Sequence, residues 1–214
     1  VSRDVGPTLT RMAGRWASDV LAACGVNVVA QDFDRPLDAR AYLVLANHTS
    51  HMDVLAIFSQ FPRDLYPVAK RELSYIPLFG WALAAGAAIM IDRGDRERAK
   101  ASIERAGRAI REGRSVLMFP EGTRTGGRTL LPFKKGPFHL ALEARVPVLP
   151  VAVLGASDVL APGDWRVRSD RTITVRMGRP MPTAGYPGGS EGREALSGDV
   201  RAAMERLLEQ RDPP

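Results

Sequence analysis

Between residues 41 and 154 the chain carries five short apolar runs, AYLVLA, YPVA, AIMI, SVLMF and VPVLPVAVL, each followed by turn-forming or charged residues. None alternates apolar with polar positions, so each reads as a strand buried on both faces. TITVRMG, at 172–178, does alternate and suits a sheet edge. Between the strands, Ala99, Ile103, Ala106 and Ile110 recur at helical spacing in an otherwise charged stretch, which predicts an amphipathic helix from Asp95 to Arg111. A final helix near Glu191 to Gln210 would pack through Leu196, Val200, Ala203 and Leu207. Strands interleaved with helices predict an α/β fold in one domain, a central, mostly buried sheet flanked by helices. APGDWRVRSDR and GRPMPTAGYPGGSEG read as loops.

At 214 residues the chain is long enough for one sizeable core. Cys24 is its single cysteine, which excludes an internal disulfide and a thiolate-built zinc site and suits a reducing compartment. The net charge of +6 is carried mostly by arginine, which fits codon bias or attraction to an anionic partner. The arginines show no nucleic-acid motif and no aromatic interleaving, so nucleic acid is not an expected partner. Arg3 and Asp4 are not followed by a long apolar run, so no secretory leader is read there, and residues before Val1 are left open. The charge-free stretch Leu73 to Ile91 nearly matches a membrane span, but Pro77, Gly80 and Gly86 divide it. It reads as a short buried helix, Pro77 to Ala85, and then the AIMI strand. Leu9, Met12, Ala13, Trp16 and Val20 share one helical face, with Arg11 and Arg15 off it. Residues 1–30 therefore read as an N-terminal amphipathic helical segment, packed on the domain or lying in a membrane interface, ahead of a domain at 31–214.

The chemistry gathers at NHTSHMD, 47–53, which holds two of the chain's three histidines. It follows a buried strand directly, so it stands at a sheet end, where α/β folds tend to hold ligands. In a continuous helix His48 and Asp53 would be rotated about 140° apart. A strand-to-helix turn capped by Thr49 or Ser50 would bring the carboxylate back to the imidazole, giving a His-Asp base. The bland alternative is a capping turn with exposed histidines. There is no G-x-S-x-G elbow and Cys24 is remote, so the hydroxyl to be deprotonated would belong to a substrate. A metal-dependent hydrolase using His48, His51 and Asp53 is a second reading, although only His139 remains as a further histidine. A non-catalytic lipid-surface module is a third, and it would not need the His-Asp pair.

SVLMFPEGTRTGG supplies a second strand-to-turn break, with a glycine for close backbone approach and an arginine fork suited to phosphate. In that order and at those separations NHTSHMD, AAIMIDR, FPEGTR and VPVLPVAV resemble the glycerolipid acyltransferase family, which includes the 1-acylglycerol-3-phosphate acyltransferases. The resemblance runs from Tyr42 to Val153, with weaker support from KRELSYIPLFGW, LPFKKG and TVRMGRPMP. It implies an acyltransferase domain that moves a fatty acyl group from acyl-CoA or acyl carrier protein to the hydroxyl of 1-acylglycerol-3-phosphate, by direct attack and without a cofactor or metal. His48 then resembles the general base and Asp53 its orienting partner. Arg93 and Arg124 match the family's phosphate-binding arginines, Lys70 reads either as joining them or as a solvated lysine, and Glu121, Gly122 and Thr123 would shape the acceptor pocket. Pro150 matches the proline of the fourth block, on the acyl-donor side. Lys134 and Lys135 read as a solvated pair. Two positions depart from the pattern: Ala87 and Met90 replace the usual glycine and phenylalanine, and His51 stands where an aromatic is common. Another lyso-lipid or glycerol phosphate is the alternative acceptor. The expected setting is cytoplasmic, peripheral on the inner face of the membrane.

Overall fold

The computed structural model describes residues 6–70, 88–91, 96–127 and 129–210. In chain order its elements are α1 (Gly6–Ala23), β1 (Val26–Gln31), β2 (Leu43–Ala46), α2 (Met52–Gln60), β3 (Leu65–Lys70), β4 (Ile89–Ile91), α3 (Arg96–Arg111), β5 (Ser115–Met118), α4 (Lys135–Ala144), β6 (Val148–Leu154), α5 (Ala156–Val159), β7 (Arg171–Met177) and α6 (Gly189–Glu209). The helix expected over Pro77 to Ala85, Asp95 and Arg93 lie outside the described residues.

The strands form one seven-stranded sheet in the order β1-β7-β6-β2-β5-β3-β4. From β6 to β4 every pairing is parallel, while β7 runs antiparallel to β6 and β1 runs parallel to β7. The charge-free runs of β2, β5 and β6 are buried on both faces as expected, with Leu43, Val44, Leu45 and Ala46 all at 0% exposure, whereas AIMI is not: β4 ends the sheet and Ala88, Ile89 and Met90 are only half-buried. Val44, Ala46, Leu149, Val151, Val153 and Ile173 form one core with Leu21 of α1, Met52, Ala56 and Ile57 of α2 and Val159 of α5. Leu43, Leu45 and Val148 meet Ala106 and Ile110 of α3, Phe138 and Leu140 of α4, and α6 on the other face.

Several expectations change. β7 is not an edge: it lies between β6 and β1. Its alternation arises because Ile173, Val175 and Met177 enter the core on one face, while on the other Thr174 is half-buried and Arg176, 1% exposed, is buried with its guanidinium bonded to Gln31 and the Leu207 carbonyl. The sheet ends on β4 and on β1, a segment without a clear strand period, of which only Val26 is buried. β1 also spans the division placed at residues 30 and 31. In α6 the buried line is Leu196, Val200 and Met204, one step of four after another, whereas Ala203 and Leu207 are only partly covered. In α1 the docked side is rotated: Ala17 and Leu21 are buried, while Met12 and Trp16 are 60% and 44% exposed. Among the described residues no helix is long and apolar enough to cross a membrane.

Candidate active site

β2 and β5 end side by side, and the turns that follow them interlock. The His48 backbone N–H donates to Glu121 Oε1 at 2.8 Å, and the Thr125 N–H donates to the His48 carbonyl at 2.8 Å. Asn47 pins the end of β2 to β6 with a reciprocal pair, its amide donating to the Val153 carbonyl at 2.8 Å and its oxygen accepting from the Val153 N–H at 2.7 Å. His48 is therefore fixed through its backbone before its side chain makes any contact.

The expected His-Asp pair forms: His48 Nδ1 lies 2.8 Å from Asp53 Oδ2. The turn is capped by Ser50 as expected, and Asp53 adds bonds of its own. Asp53, in the first turn of α2 and 0% exposed, reaches back to accept the N–H groups of Thr49 and Ser50 at 2.6 and 2.8 Å on Oδ2, and the Thr49 hydroxyl at 3.2 Å on Oδ1. That is the returning half of a capping box, Ser50-x-x-Asp53. Ser50 Oγ accepts from the Met52 N–H at 3.1 Å and donates to the Leu160 carbonyl at 2.7 Å. Both hydroxyls beside His48 are thus committed elsewhere. Among the described residues no serine, threonine or cysteine donates to His48 Nε2.

The imidazole stacks on Phe119, with ring centroids 3.9 Å apart and planes at 18°. The side chain is 16% exposed, so Nδ1 is anchored while the ring keeps a route outward. Sequence reasoning did not single out Phe119 or Asn47, although both sit within the two quoted blocks.

Glu121 holds the loop with both of its carboxylate oxygens. It is 2% exposed and its second oxygen accepts the Leu131 N–H at 2.9 Å. Burial pushes its pKa above the ordinary carboxylate range, while the N–H groups of Leu131 and His48 oppose the shift. Gly122 turns the chain at φ 75°, a left-handed conformation that glycine adopts without strain. Glu121→Ala strands two backbone donors and is expected to cost about 2–4 kcal/mol, read as a lower denaturant midpoint at unchanged slope. Glu121→Gln should cost less, because one acceptor remains.

Thr123 is exposed and Arg124 half-buried. Among the described residues no carboxylate pairs with the Arg124 guanidinium. Its charge reaches His51, whose pKa is lowered first by burial, then by Arg124 and His48, against a smaller opposing effect of Asp53. The lowered pKa of His51 disfavours a second positive charge beside Arg124. Lys70 closes β3 at the same sheet end. Its side chain, and all of Arg93, lie outside the described residues. Lys134 and Lys135 are exposed. Among the described residues no three His, Cys, Asp or Glu side chains are gathered to hold a metal ion.

The acyltransferase family profile matches residues 26–154, from the start of β1 to the end of β6. The chain belongs to the acyltransferase family. Over 150 residues this acyltransferase-family chain is 34% identical to a 1-acyl-sn-glycerol-3-phosphate acyltransferase of Saccharomyces cerevisiae, covering 69% of the chain and 49% of the yeast protein. Over 182 residues it is 34% identical to a Salmonella typhimurium protein of the same name, covering 83% of the chain and 72% of that protein. It spans about half the length of the yeast relative and more of the bacterial one. The fold is that of the crystal structure of a 1-acyl-sn-glycerophosphate acyltransferase from Thermotoga maritima, with a TM-score of 0.79 at 24% identity, over 95% of this chain and 81% of that one.

Proposed function

We propose that this chain transfers a fatty acyl group from an acyl thioester, coenzyme A or acyl carrier protein, to the free hydroxyl of 1-acylglycerol-3-phosphate. The observation that carries the reading is the buried Asp53 carboxylate facing His48 Nδ1, which leaves Nε2 as the proton acceptor. His48 removes the acceptor's hydroxyl proton as the oxygen attacks the thioester carbonyl. Asp53 steadies the imidazolium that forms, and the thiolate departs with that proton. The attack is direct, because the neighbouring hydroxyls of Thr49 and Ser50 are held by Asp53 and Leu160.

The tetrahedral oxyanion needs N–H donors. Those of His48, Thr49 and Ser50 are occupied by Glu121 and Asp53, which favours the Thr123–Arg124 turn. Arg124, with Arg93 and Lys70, takes the acceptor's phosphate, and Gly122 and Thr123 border it. The acceptor is a lipid, so the chain works as a peripheral protein on a membrane surface, at the cytoplasmic face where a free Cys24 stays reduced.

The test is thiol release from one long-chain acyl-CoA by purified protein. Release should require the acceptor, and one phosphatidate should form per thiol. No cofactor takes part, so prior chelation and dialysis should leave the rate unchanged. Thiol release independent of acceptor would make the protein a hydrolase, and activity lost with a removed metal would favour the metal-site reading.

A further inference from the structure

The loop joining α5 to β7 stands at the catalytic end of the sheet, beside the start of α2. Its base is tied at three places: Ser50 Oγ donates to the Leu160 carbonyl at 2.7 Å, the Arg168 N–H to the Val159 carbonyl at 2.9 Å, and the Asp170 N–H to the Gly25 carbonyl at 2.9 Å. Asp164 organises the crown. Its Oδ1 accepts the N–H groups of Trp165 and Arg166 at 2.8 and 3.0 Å, and its Oδ2 takes the Arg168 guanidinium at 3.3 Å. On this braced frame Trp165 is 82% exposed and Val167 42%. A tryptophan carries roughly 200 Å² of surface that a yielding loop would fold back onto the protein. This loop holds it out.

The surroundings are basic on the outer side. The Arg166 guanidinium lies 5.7 Å from the Trp165 ring centre, and Arg168 and Arg171 follow it, both exposed. Of the loop's two acids, Asp164 is taken up by the crown as described, and Asp170, exposed, accepts from the Ser169 hydroxyl at 3.1 Å. The exposed Met12 and Trp16 of α1 belong to the far end. Gly14 lies against Phe58 near the end of α2, and Arg15 and Ser18 line a cavity of about 620 Å³ with Leu65 and Ser115, the first residues of β3 and β5.

We propose that the Trp165 loop is a lipid-docking element, which seats Trp165 and Val167 in the headgroup region of an anionic bilayer and sets the mouth of the His48 site against it. Tryptophan favours that interface through its amphipathic ring, and the flanking arginines add attraction to anionic lipid. The proposal rests on the reading of the acceptor as a membrane lipid, and its test is independent of turnover.

Co-sedimentation is measured in the inactive His48→Ala background, with vesicles of phosphatidylcholine alone and with phosphatidylglycerol added. Trp165→Ala should weaken binding to the anionic vesicles about tenfold, and Arg166→Glu should remove most of the preference for anionic lipid. Trp16→Ala, at the opposite end, should have the smaller effect. Undiminished binding by Trp165→Ala overturns the proposal. So does a Trp165→Ala protein that binds vesicles normally but no longer forms a dimer in solution, which would make the occupant a second copy of the chain.

Discussion

His48→Ala is expected to lower acyl-transfer turnover by about 10²- to 10⁴-fold with the fold intact. The fold should survive because the contacts that fix this turn are made by the backbone of His48, through Glu121 and Thr125, and by Asp53 with Thr49 and Ser50. Circular dichroism and the denaturant midpoint should therefore move little while the rate collapses. Asp53→Asn separates two roles of the carboxylate. Two N–H groups and Nδ1 converge on Oδ2, so an asparagine oxygen is held there and its amide is turned toward Thr49 Oγ1. The tautomer of His48 is then preserved, but the anion opposite the imidazolium is lost. Asp53→Asn should accordingly be severe, yet milder than His48→Ala. Near-normal turnover in a folded His48→Ala protein would falsify the base assignment.

Arg124→Ala is the second large effect, and it should be selective. The guanidinium stands half-buried, with no paired carboxylate among the described residues, beside a His51 whose pKa burial lowers, which suits a phosphate monoester better than a zwitterionic headgroup. Removing a charge-assisted contact from a partly desolvated site should cost roughly 2–3 kcal/mol, about 30- to 150-fold in kcat/KM with lysophosphatidate. The loss should be much smaller with lysophosphatidylcholine, and Arg124→Lys should restore only part of it, since a point charge replaces a planar fork. An equal loss with every acceptor would assign Arg124 to the donor or to the loop.

The strands buried on both faces were legible because a run such as LVLA has one physical solution, a central position under two helical layers. Lateral order was less legible. The alternation of β7 reports that its two faces differ in polarity, and it says nothing about whether a neighbour pairs on each side. The same limit hid β1, whose single buried residue, Val26, makes no pattern. At the site, the His48–Asp53 pairing and the Ser50 cap followed from spacing and the need for a turn, but the further bonds of Asp53 did not. The Thr49 and Ser50 hydroxyls can donate or accept, the Asp53 carboxylate can accept from several N–H groups at once, and only the geometry decides between them. The resemblance implies that Glu121 shapes the acceptor pocket, without saying how. Its two bonds run to main-chain groups 73 and 10 residues away, a relation no local pattern carries.

The central claim is that His48 activates the substrate's hydroxyl and not one of the protein's own. Rapid quench with enzyme in excess over acyl-CoA tests it most directly, the acceptor being withheld and then added. The account predicts no thiol release and no acylated protein until lysophosphatidate arrives, after which thiol and phosphatidate appear with one rate constant. A stoichiometric release of thiol before the acceptor is added, with an acyl group found on the protein, would contradict it.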